Sequence, residues 1–189
     1  MARTAPQRLR RWLVSTAMLA ALALLAAWSW KQPFMATARM LWDISRAPPP
    51  ASLPVPVQGV KAGRIADTFG APRGTTRTHQ GVDIFAPRGT PVLSATRGVV
   101  VSVRDSGLGG RQVWVLGPGR ERHYYAHLDD WAIGLAEGQV VQPGEPLGTV
   151  GTTGNARGTP PHLHYGVYGS QGAYDPLPLF RQQDAPSVR

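Results

Sequence analysis

From residue 58 onward, glycine or proline interrupts the chain every few residues. The chain holds 22 Gly and 18 Pro among its 189 residues. Proline cannot continue a helix and glycine favours turns, so this spacing excludes long helices and favours short strands joined by turns. Runs rich in β-branched and aromatic residues fill the intervals, at Val82–Ala86, Pro91–Ser94, Gly98–Arg104, Gln112–Leu116, Arg122–His127, Pro146–Val150 and Leu163–Tyr168.

These runs predict an all-β domain over residues 58–178, made of antiparallel β-sheets in a compact sandwich or barrel-like arrangement. Val99–Val103 is almost entirely valine, so we expect it to be the most buried strand. Trp131–Ala136 is expected to form one short helical turn. The polar residues 179–189 are predicted to be a disordered tail.

The first 31 residues follow a different pattern. Four arginines precede an uncharged run from Trp12 to Trp30, which Lys31 closes. A helix of that length spans about 28 Å, close to the thickness of a bilayer core. Residues 1–31 are therefore predicted to be a basic cytoplasmic tail and one transmembrane helix, with the remaining chain outside the inner membrane, facing the periplasm or cell exterior.

A cleavable signal peptide is the alternative for this segment. The apolar run is longer than a usual signal-peptide core, and it ends in Trp28 and Trp30, which suit a membrane interface. An uncleaved anchor is the favoured interpretation. Residues 32–57 are predicted to be a juxtamembrane segment and a linker, in which five prolines between residues 47 and 57 favour an extended spacer.

The positive charge lies mostly in that N-terminal extension. Of the formal net charge of +9, residues 1–46 contribute +6, from seven basic residues and one acidic residue. The predicted β domain has no basic run interleaved with aromatic residues, so nucleic-acid binding is excluded as a function. The chain has no cysteine, which does not by itself fix the compartment.

Histidines supply the candidate chemistry. His162 and His164 are two positions apart in a predicted strand, so both imidazoles point to one face. His79 and Asp83 are four apart, which also returns to one face of a strand. Two histidines and one aspartate match the three protein ligands of a catalytic zinc site. A lone His-x-His is more often structural, but a further segment, Tyr124-Tyr125-Ala126-His127, strengthens the metal hypothesis.

Five separated motifs together resemble the lysostaphin/LytM-type zinc metalloendopeptidases, over roughly residues 57–178. These motifs are Phe69-Gly70, His79-Gln80-Gly81-Val82-Asp83-Ile84, Gly89-Thr90-Pro91-Val92, Tyr125-Ala126-His127-Leu128, and Gly151-Thr152-Thr153-Gly154 followed by His162-Leu163-His164. The resemblance implies a LytM-type fold with Zn²⁺ bound by His79, Asp83 and His164. Pro160 and Gly166 depart from the family's pattern without touching that ligand set.

The resemblance also implies the reaction, which is hydrolysis of the peptide stems or cross-links of bacterial peptidoglycan by metal-activated water. His162 is expected to be the general base, and His127 to stabilise the carbonyl oxygen of the intermediate, although the two roles are interchangeable at this stage. The loop Gly151–Thr159 is expected to form a groove wall, where Arg157 is a candidate partner for a substrate carboxylate. His123 lies outside the motifs, as a solvated or hydrogen-bonding strand residue.

Two other functions remain open. A non-catalytic LytM-fold envelope protein would activate another cell-wall hydrolase or bind peptidoglycan, but such proteins usually lack zinc-site residues, and all of them are present here. Gly138–Gly148 resembles the turn of biotinyl and lipoyl carrier domains. Those carriers need a modified lysine, and the two lysines of this chain, Lys31 and Lys61, lie outside the strand-rich region. The sequence fixes neither the peptide bond that is cut nor any protein partner.

Overall fold

A computed structural model of the chain describes residues 5–184. It divides them into two compact units, one up to Arg39 and a larger one from Met40 onward. Helix α1 spans Ala5–Trp30, and the alanines and leucines that fill it have high helix propensity. Within the described part of the chain, Leu9–Trp30 is the one stretch long and apolar enough to cross a membrane, and its side chains are almost all exposed.

The larger unit consists mostly of antiparallel β-strands. The strands are β1 Pro72–Arg73, β2 Arg77–Thr78, β3 Val82–Phe85, β4 Pro91–Leu93, β5 Gly98–Ser106, β6 Gly110–Leu116, β7 Arg122–Ala126, β8 Leu128–Trp131, β9 Val140–Val141, β10 Pro146–Val150, β11 His162–Gly169 and β12 Gly172–Tyr174. A seven-stranded sheet has the order β12-β11-β7-β6-β5-β9, with β3 also paired to β11, while β4-β10-β8 form a three-stranded sheet and β1-β2 a hairpin.

The predicted β architecture is confirmed. Each of the seven predicted strands overlaps an observed one, and the strands that the sequence did not indicate are only two to four residues long. The expected helical turn at Trp131–Ala136 is wrong, because Trp131 ends β8 and turns follow it.

The most buried strand is β11 rather than Val99–Val103. In β5, Val100 is fully buried while Val101 is 41% exposed, because its face of the sheet looks outward. Along β11, by contrast, Leu163, Tyr165 and Val167 all have no exposed surface. They pack with side chains from both larger sheets in one hydrophobic core. Alternation along β11 therefore directs its odd-numbered residues into the core and its even-numbered residues to the opposite face.

The predicted free spacer at residues 47–57 is wrong. Leu53 and Val57 are buried in the main core, and the Leu53 amide donates a hydrogen bond of 3.1 Å to the Leu179 carbonyl. Upstream, helix α2 spans Ala36–Arg46, and its residues Met40 and Ile44 pack against Val99. Burial of these apolar side chains stabilises the segment against the domain, although its prolines favour an extended backbone.

The prediction of disorder from residue 179 is also wrong for the residues that the structure describes. Leu177–Asp184 form helix α3. Phe180 is fully buried, with its ring 5.5 Å from that of Tyr165. Leu177 and Phe180 anchor this segment in the main core, and residues 185–189 lie outside the described part. The domain thus extends from Met40 through α3, beyond both predicted boundaries of 58 and 178.

Candidate metal centre

Strands β3 and β11 bring Asp83, His162 and His164 to one face of the large sheet, and the neighbouring strand β7 ends beside them. In the register of β11 with β3, His164 lies opposite Asp83, and in its register with β7, His164 lies opposite Ala126. His162 is two residues from His164 and therefore on the same face. The core face of the same strands holds Val82, Ile84 and other apolar residues, so burial of that face fixes the orientation of the histidines.

His79, Asp83 and His164 form a compact cluster. Asp83 Oδ1 lies 3.0 Å from His79 Nε2 and 3.1 Å from His164 Nδ1, and the two nitrogens are 2.8 Å apart. The sequence spacing of His79 and Asp83 suggested that the two residues share a strand. In the structure, Asp83 lies in β3, whereas His79 extends the β1-β2 hairpin, because its backbone N–H donates a hydrogen bond of 2.9 Å to the Ala71 carbonyl. They meet through tertiary structure rather than strand alternation.

Thr68 holds two members of this cluster in place. His79 Nδ1 lies 2.7 Å from the Thr68 carbonyl oxygen. A carbonyl only accepts hydrogen bonds, so Nδ1 carries the proton and Nε2 presents its lone pair to the cluster. The Thr68 hydroxyl accepts a bond of 3.2 Å from the Asp83 amide. Arg73 contacts Asp83 Oδ2, so it orients the carboxylate with Oδ1 toward the imidazoles.

The pKa values of Asp83 and His164 are both lowered. Burial alone would raise the pKa of Asp83, but hydrogen bonds and charge interactions with His164 and His79 outweigh it and hold the pKa far below the usual range. Burial lowers the pKa of His164, partly offset by its hydrogen bond to Asp83. Asp83 is therefore ionised at neutral pH, in the form that a metal requires.

The donor set fits zinc. Zinc binds imidazole nitrogen and carboxylate oxygen at about 2.0–2.1 Å, so ligand atoms around a tetrahedral ion lie about 3.3 Å apart. The three potential ligand atoms here lie 2.8, 3.0 and 3.1 Å from one another, close to the spacing expected around a tetrahedral zinc ion. Hydrogen bonds to Thr68 and Arg73 orient two of them, as is usual around bound metals.

His162 and His127 adjoin the cluster and have the same tautomer. His162 Nδ1 lies 2.9 Å from the Pro160 carbonyl, and His127 Nδ1 lies 2.9 Å from the Thr153 carbonyl. Each ring therefore donates from Nδ1 and keeps the lone pair of Nε2. The two ring centroids are 5.1 Å apart, and His162 Nε2 is 3.9 Å from Asp83 Oδ1. Both Nε2 atoms are thus available to exchange a proton with a bound molecule.

His127 owes its position to an unusual backbone conformation. Strand β7 ends at Ala126, and His127 has a φ of 64°, in the left-handed region that residues other than glycine rarely adopt. Its amide donates a bond of 2.9 Å to the Gly109 carbonyl, which holds this turn. Burial lowers the pKa of His127 to about 4, helped by the neighbouring His164 and His162, so the ring is neutral near pH 7.

A cleft of about 460 Å³ opens above these residues. Its walls include the β1-β2 hairpin, the β5-β6 turn at Leu108 and Gly109, and the loop carrying Asn155 and Thr159. The loop expected to form a groove wall therefore does line the cleft, whereas Arg157 is exposed and is not among the lining residues.

His123 belongs to the other face of β7. It has no exposed surface, and its Nδ1 lies 2.7 Å from the Tyr165 hydroxyl. Burial lowers its pKa to about 3. The predicted hydrogen-bonding role is confirmed, whereas solvation is wrong, because His123 lies in the core.

Sequence reasoning assigned no supporting role to Arg73, Thr68 or Thr153. Thr68 and Thr153 hold the His79 and His127 rings through backbone carbonyls, which no side-chain pattern records. Arg73 had a weak signal, because Pro72 and Gly74 mark a turn that brings it opposite Arg77.

Comparison with known proteins agrees with this geometry. The model of peptidase family M23 matches residues 77–176, which is more than half of the chain. The chain therefore belongs to peptidase family M23, whose members are zinc metallopeptidases that include peptidoglycan endopeptidases.

Among its relatives, the L-Ala–D-Glu endopeptidase of Bacillus subtilis (strain 168) is 38% identical over 141 residues, which are 69% of this chain and 43% of that protein. The DD-carboxypeptidase/endopeptidase Mpg of Neisseria meningitidis serogroup B (strain MC58) is 43% identical over 91 residues, 48% of this chain and 20% of that protein. The chain thus spans less than half the length of these two relatives.

Solved structures share the fold. The catalytic domain of lysostaphin from Staphylococcus simulans superposes with a TM-score of 0.55 at 30% identity, covering 62% of this chain and 92% of that one. A zinc-containing peptidase from Vibrio cholerae superposes with a TM-score of 0.56 at 28% identity, covering 70% of this chain and 40% of the other.

Proposed function

We propose that this chain is a zinc metalloendopeptidase that hydrolyses the peptide stems or cross-links of bacterial peptidoglycan. The observation that carries the proposal is the convergence of the His79, Asp83 and His164 donors beside two further imidazoles in one cleft. A non-catalytic relative needs no such set. Membership of a family that contains peptidoglycan endopeptidases supplies the substrate class.

In this proposal His79 Nε2, Asp83 Oδ1 and His164 Nδ1 hold the metal. When bound, zinc polarises the substrate carbonyl and lowers the pKa of a coordinated water. Arg73 and Thr68 keep the carboxylate and the His79 ring in their binding orientations. His79 and Asp83 are both less than 10% exposed, so their sequestration from solvent limits competition by bulk water for these ligand atoms.

His162 is assigned as the general base. Its Nδ1–H is held by the Pro160 carbonyl, so Nε2 is free to accept a proton from the attacking water and later deliver it to the leaving amine. The backbone contact fixes both tautomer and ring orientation. A base positioned in this way contributes about 10²–10⁴ in rate.

His127 is assigned to the oxygen of the scissile carbonyl. Since Thr153 engages its Nδ1–H, Nε2 can donate a hydrogen bond to that oxygen only when the ring carries a second proton. The assignment therefore requires this ring, which is neutral near pH 7, to take up a proton from the surrounding water as negative charge develops on the carbonyl oxygen. Exchange of the two roles would place the same requirement on His162.

We further propose that α1 is an uncleaved anchor in the inner membrane and that the β domain faces the periplasm. Arg3, Arg8, Arg10 and Arg11 precede its apolar stretch, and positive charge favours the cytoplasmic side. Trp28 and Trp30 suit the opposite interface. This orientation would place the cleft on the side of the membrane where peptidoglycan lies.

The first test uses the full chain, purified in detergent and loaded with zinc. It is incubated with cross-linked peptidoglycan, with and without a zinc chelator, and the released fragments are identified by mass spectrometry. Conversion of cross-linked or intact stems to shorter peptides, abolished by the chelator and restored by zinc, is the expected result. No cleavage by folded, zinc-containing protein would contradict the proposal. The fragment masses also identify the bond.

A further inference from the structure

Two arginines project from the β1-β2 hairpin toward the cleft. Arg73 and Arg77 are opposite each other in the register of the hairpin, and both line the cleft. Arg77 is two positions before His79, which continues the hairpin ladder, so the two side chains share a face. This face therefore presents the two cations beside a proposed metal ligand.

The two arginines differ in their partners. Arg73 forms an ion pair with Asp83. Arg77 is exposed, and its side chain has no hydrogen bond or ion pair with any residue that the structure describes. Like charges directly opposite each other destabilise a hairpin, so folding alone does not account for a second arginine here.

The charge of the cleft is one-sided. Among the described residues that line it, Asp83 is the one carboxylate, and Arg73 already neutralises it. Thr76, Gln80, Asn155 and Thr159 add neutral hydrogen-bonding groups. A divalent metal bound by the cluster would make the cleft more positive. Arg77 is consequently an uncompensated cation at the rim, positioned for an anionic group of a bound molecule.

We propose that Arg77 binds a free carboxylate of the substrate and that the cleft therefore selects anionic stem peptides over neutral peptides such as glycine bridges. This inference rests on the proposed function and names its substrate class. A glutamate continues a peptide chain through one of its two carboxyl groups and leaves the other free, and a dicarboxylic diamino acid does the same. The planar guanidinium can bind such a group through two parallel N–H bonds.

The test measures binding, so that it does not depend on turnover. Calorimetry is performed on zinc-loaded full-length chain carrying His162→Ala, with a stem tetrapeptide and with forms in which one carboxylate is converted to the carboxamide. Because the contact is exposed, amidation of the recognised carboxylate is expected to weaken binding about threefold to tenfold. With Arg77→Gln added, acid and amide should bind equally. Arg64→Gln, which removes an exposed arginine outside the cleft, should preserve the preference.

Separate amides at the glutamate and at the diamino acid identify which carboxylate Arg77 contacts. Equal binding of all forms by the parent, a preference that survives Arg77→Gln, or no measurable binding would each overturn the inference. Cleavage by the chain with native His162 is assayed in parallel. A chain that prefers the acid but cleaves nothing would contradict the proposed function while supporting the carboxylate site. A chain that cleaves peptidoglycan but binds the acid and amide forms equally would support the proposed function and contradict the carboxylate site.

Discussion

The two faces of β11 show how one strand serves both folding and chemistry. Leu163, Tyr165 and Val167 point into the core and are fully buried. His162 and His164, on the opposite face, line the cleft, where His164 belongs to the candidate metal-binding cluster and His162 Nε2 lies 3.9 Å from Asp83 Oδ1. Residues on the first face determine whether the sheet forms, and residues on the second face determine what the formed sheet binds. Substitutions on the two faces should therefore fail in different ways.

The largest effect is expected from the proposed metal ligands. His164→Ala, His79→Ala or Asp83→Ala removes one of three donors, so we expect loss of stoichiometric zinc together with all measurable hydrolysis. Metal content by mass spectrometry and release of peptidoglycan fragments check this. Circular dichroism should show a folded domain, because the cleft face does not build the core. Full activity in metal-free His79→Ala protein would refute the zinc hypothesis.

Next in size are the imidazoles that do not bind metal. His162→Ala and His127→Ala should each retain one zinc per chain and lose about 10²–10⁴ in rate, because each removes a proton-transfer or charge-stabilising group and leaves the ligands intact. Metal content and initial rates are measured on the same preparation. Loss of zinc in either variant would instead make that histidine a ligand.

Substitutions on the core face of β11 are expected to lower stability rather than activity. Leu163→Ala should lower the free energy of unfolding by about 2–5 kcal/mol, because it leaves a cavity in a fully buried site. Urea denaturation measures this loss, and the folded fraction should still bind one zinc per chain. The matched cleft-face change, His162→Ala, should alter stability far less. If both cost the same stability, the two faces do not divide the roles as proposed.

This division also explains what could be predicted from sequence. Alternation places His162 and His164 together, and the structure agrees, because burial of Leu163 and Tyr165 leaves that strand a single orientation. Strand alternation cannot predict the position of His127, because this residue follows the end of β7 and has a left-handed backbone conformation. The family resemblance, rather than periodicity, connected it to the cluster. The role of Thr68 depends on a backbone carbonyl that only the folded chain brings within 2.7 Å of His79.

The extent of the domain shows a second limit of prediction from sequence. Proline content predicted an extended spacer at residues 47–57, and an extended segment is compatible with docking when a few of its side chains are apolar. Leu53 and Val57 fill sites in the core, and Phe180 does the same for the C-terminal segment. Composition averages over such segments, so it overlooks single anchors. Gly166 has a similarly local explanation, because a Cβ there would lie 2.7 Å from the Gln80 carbonyl oxygen.

The smallest predicted effect concerns His123, the histidine on the core face. Burial lowers its pKa to about 3 in the folded protein, whereas an unfolded histidine titrates near 6.5. Below pH 6.5 the unfolded chain therefore binds a proton that the native chain does not, and stability falls as the pH falls toward 3. Between pH 8 and pH 5 this contribution amounts to about 2 kcal/mol.

His123→Gln removes the titration and keeps a group able to hydrogen-bond the Tyr165 hydroxyl. The variant should lose about 2 kcal/mol less than the wild type between pH 8 and pH 5 in urea denaturation, whatever its stability at pH 8. Other titrating groups contribute to both proteins and cancel in the difference. Identical pH slopes would mean that His123 becomes protonated in the native state. Zinc content at pH 8 should be unchanged, since His123 faces away from the cluster. This result would distinguish a histidine buried in the core, which affects stability, from the histidines of the cluster, which are expected to affect zinc binding.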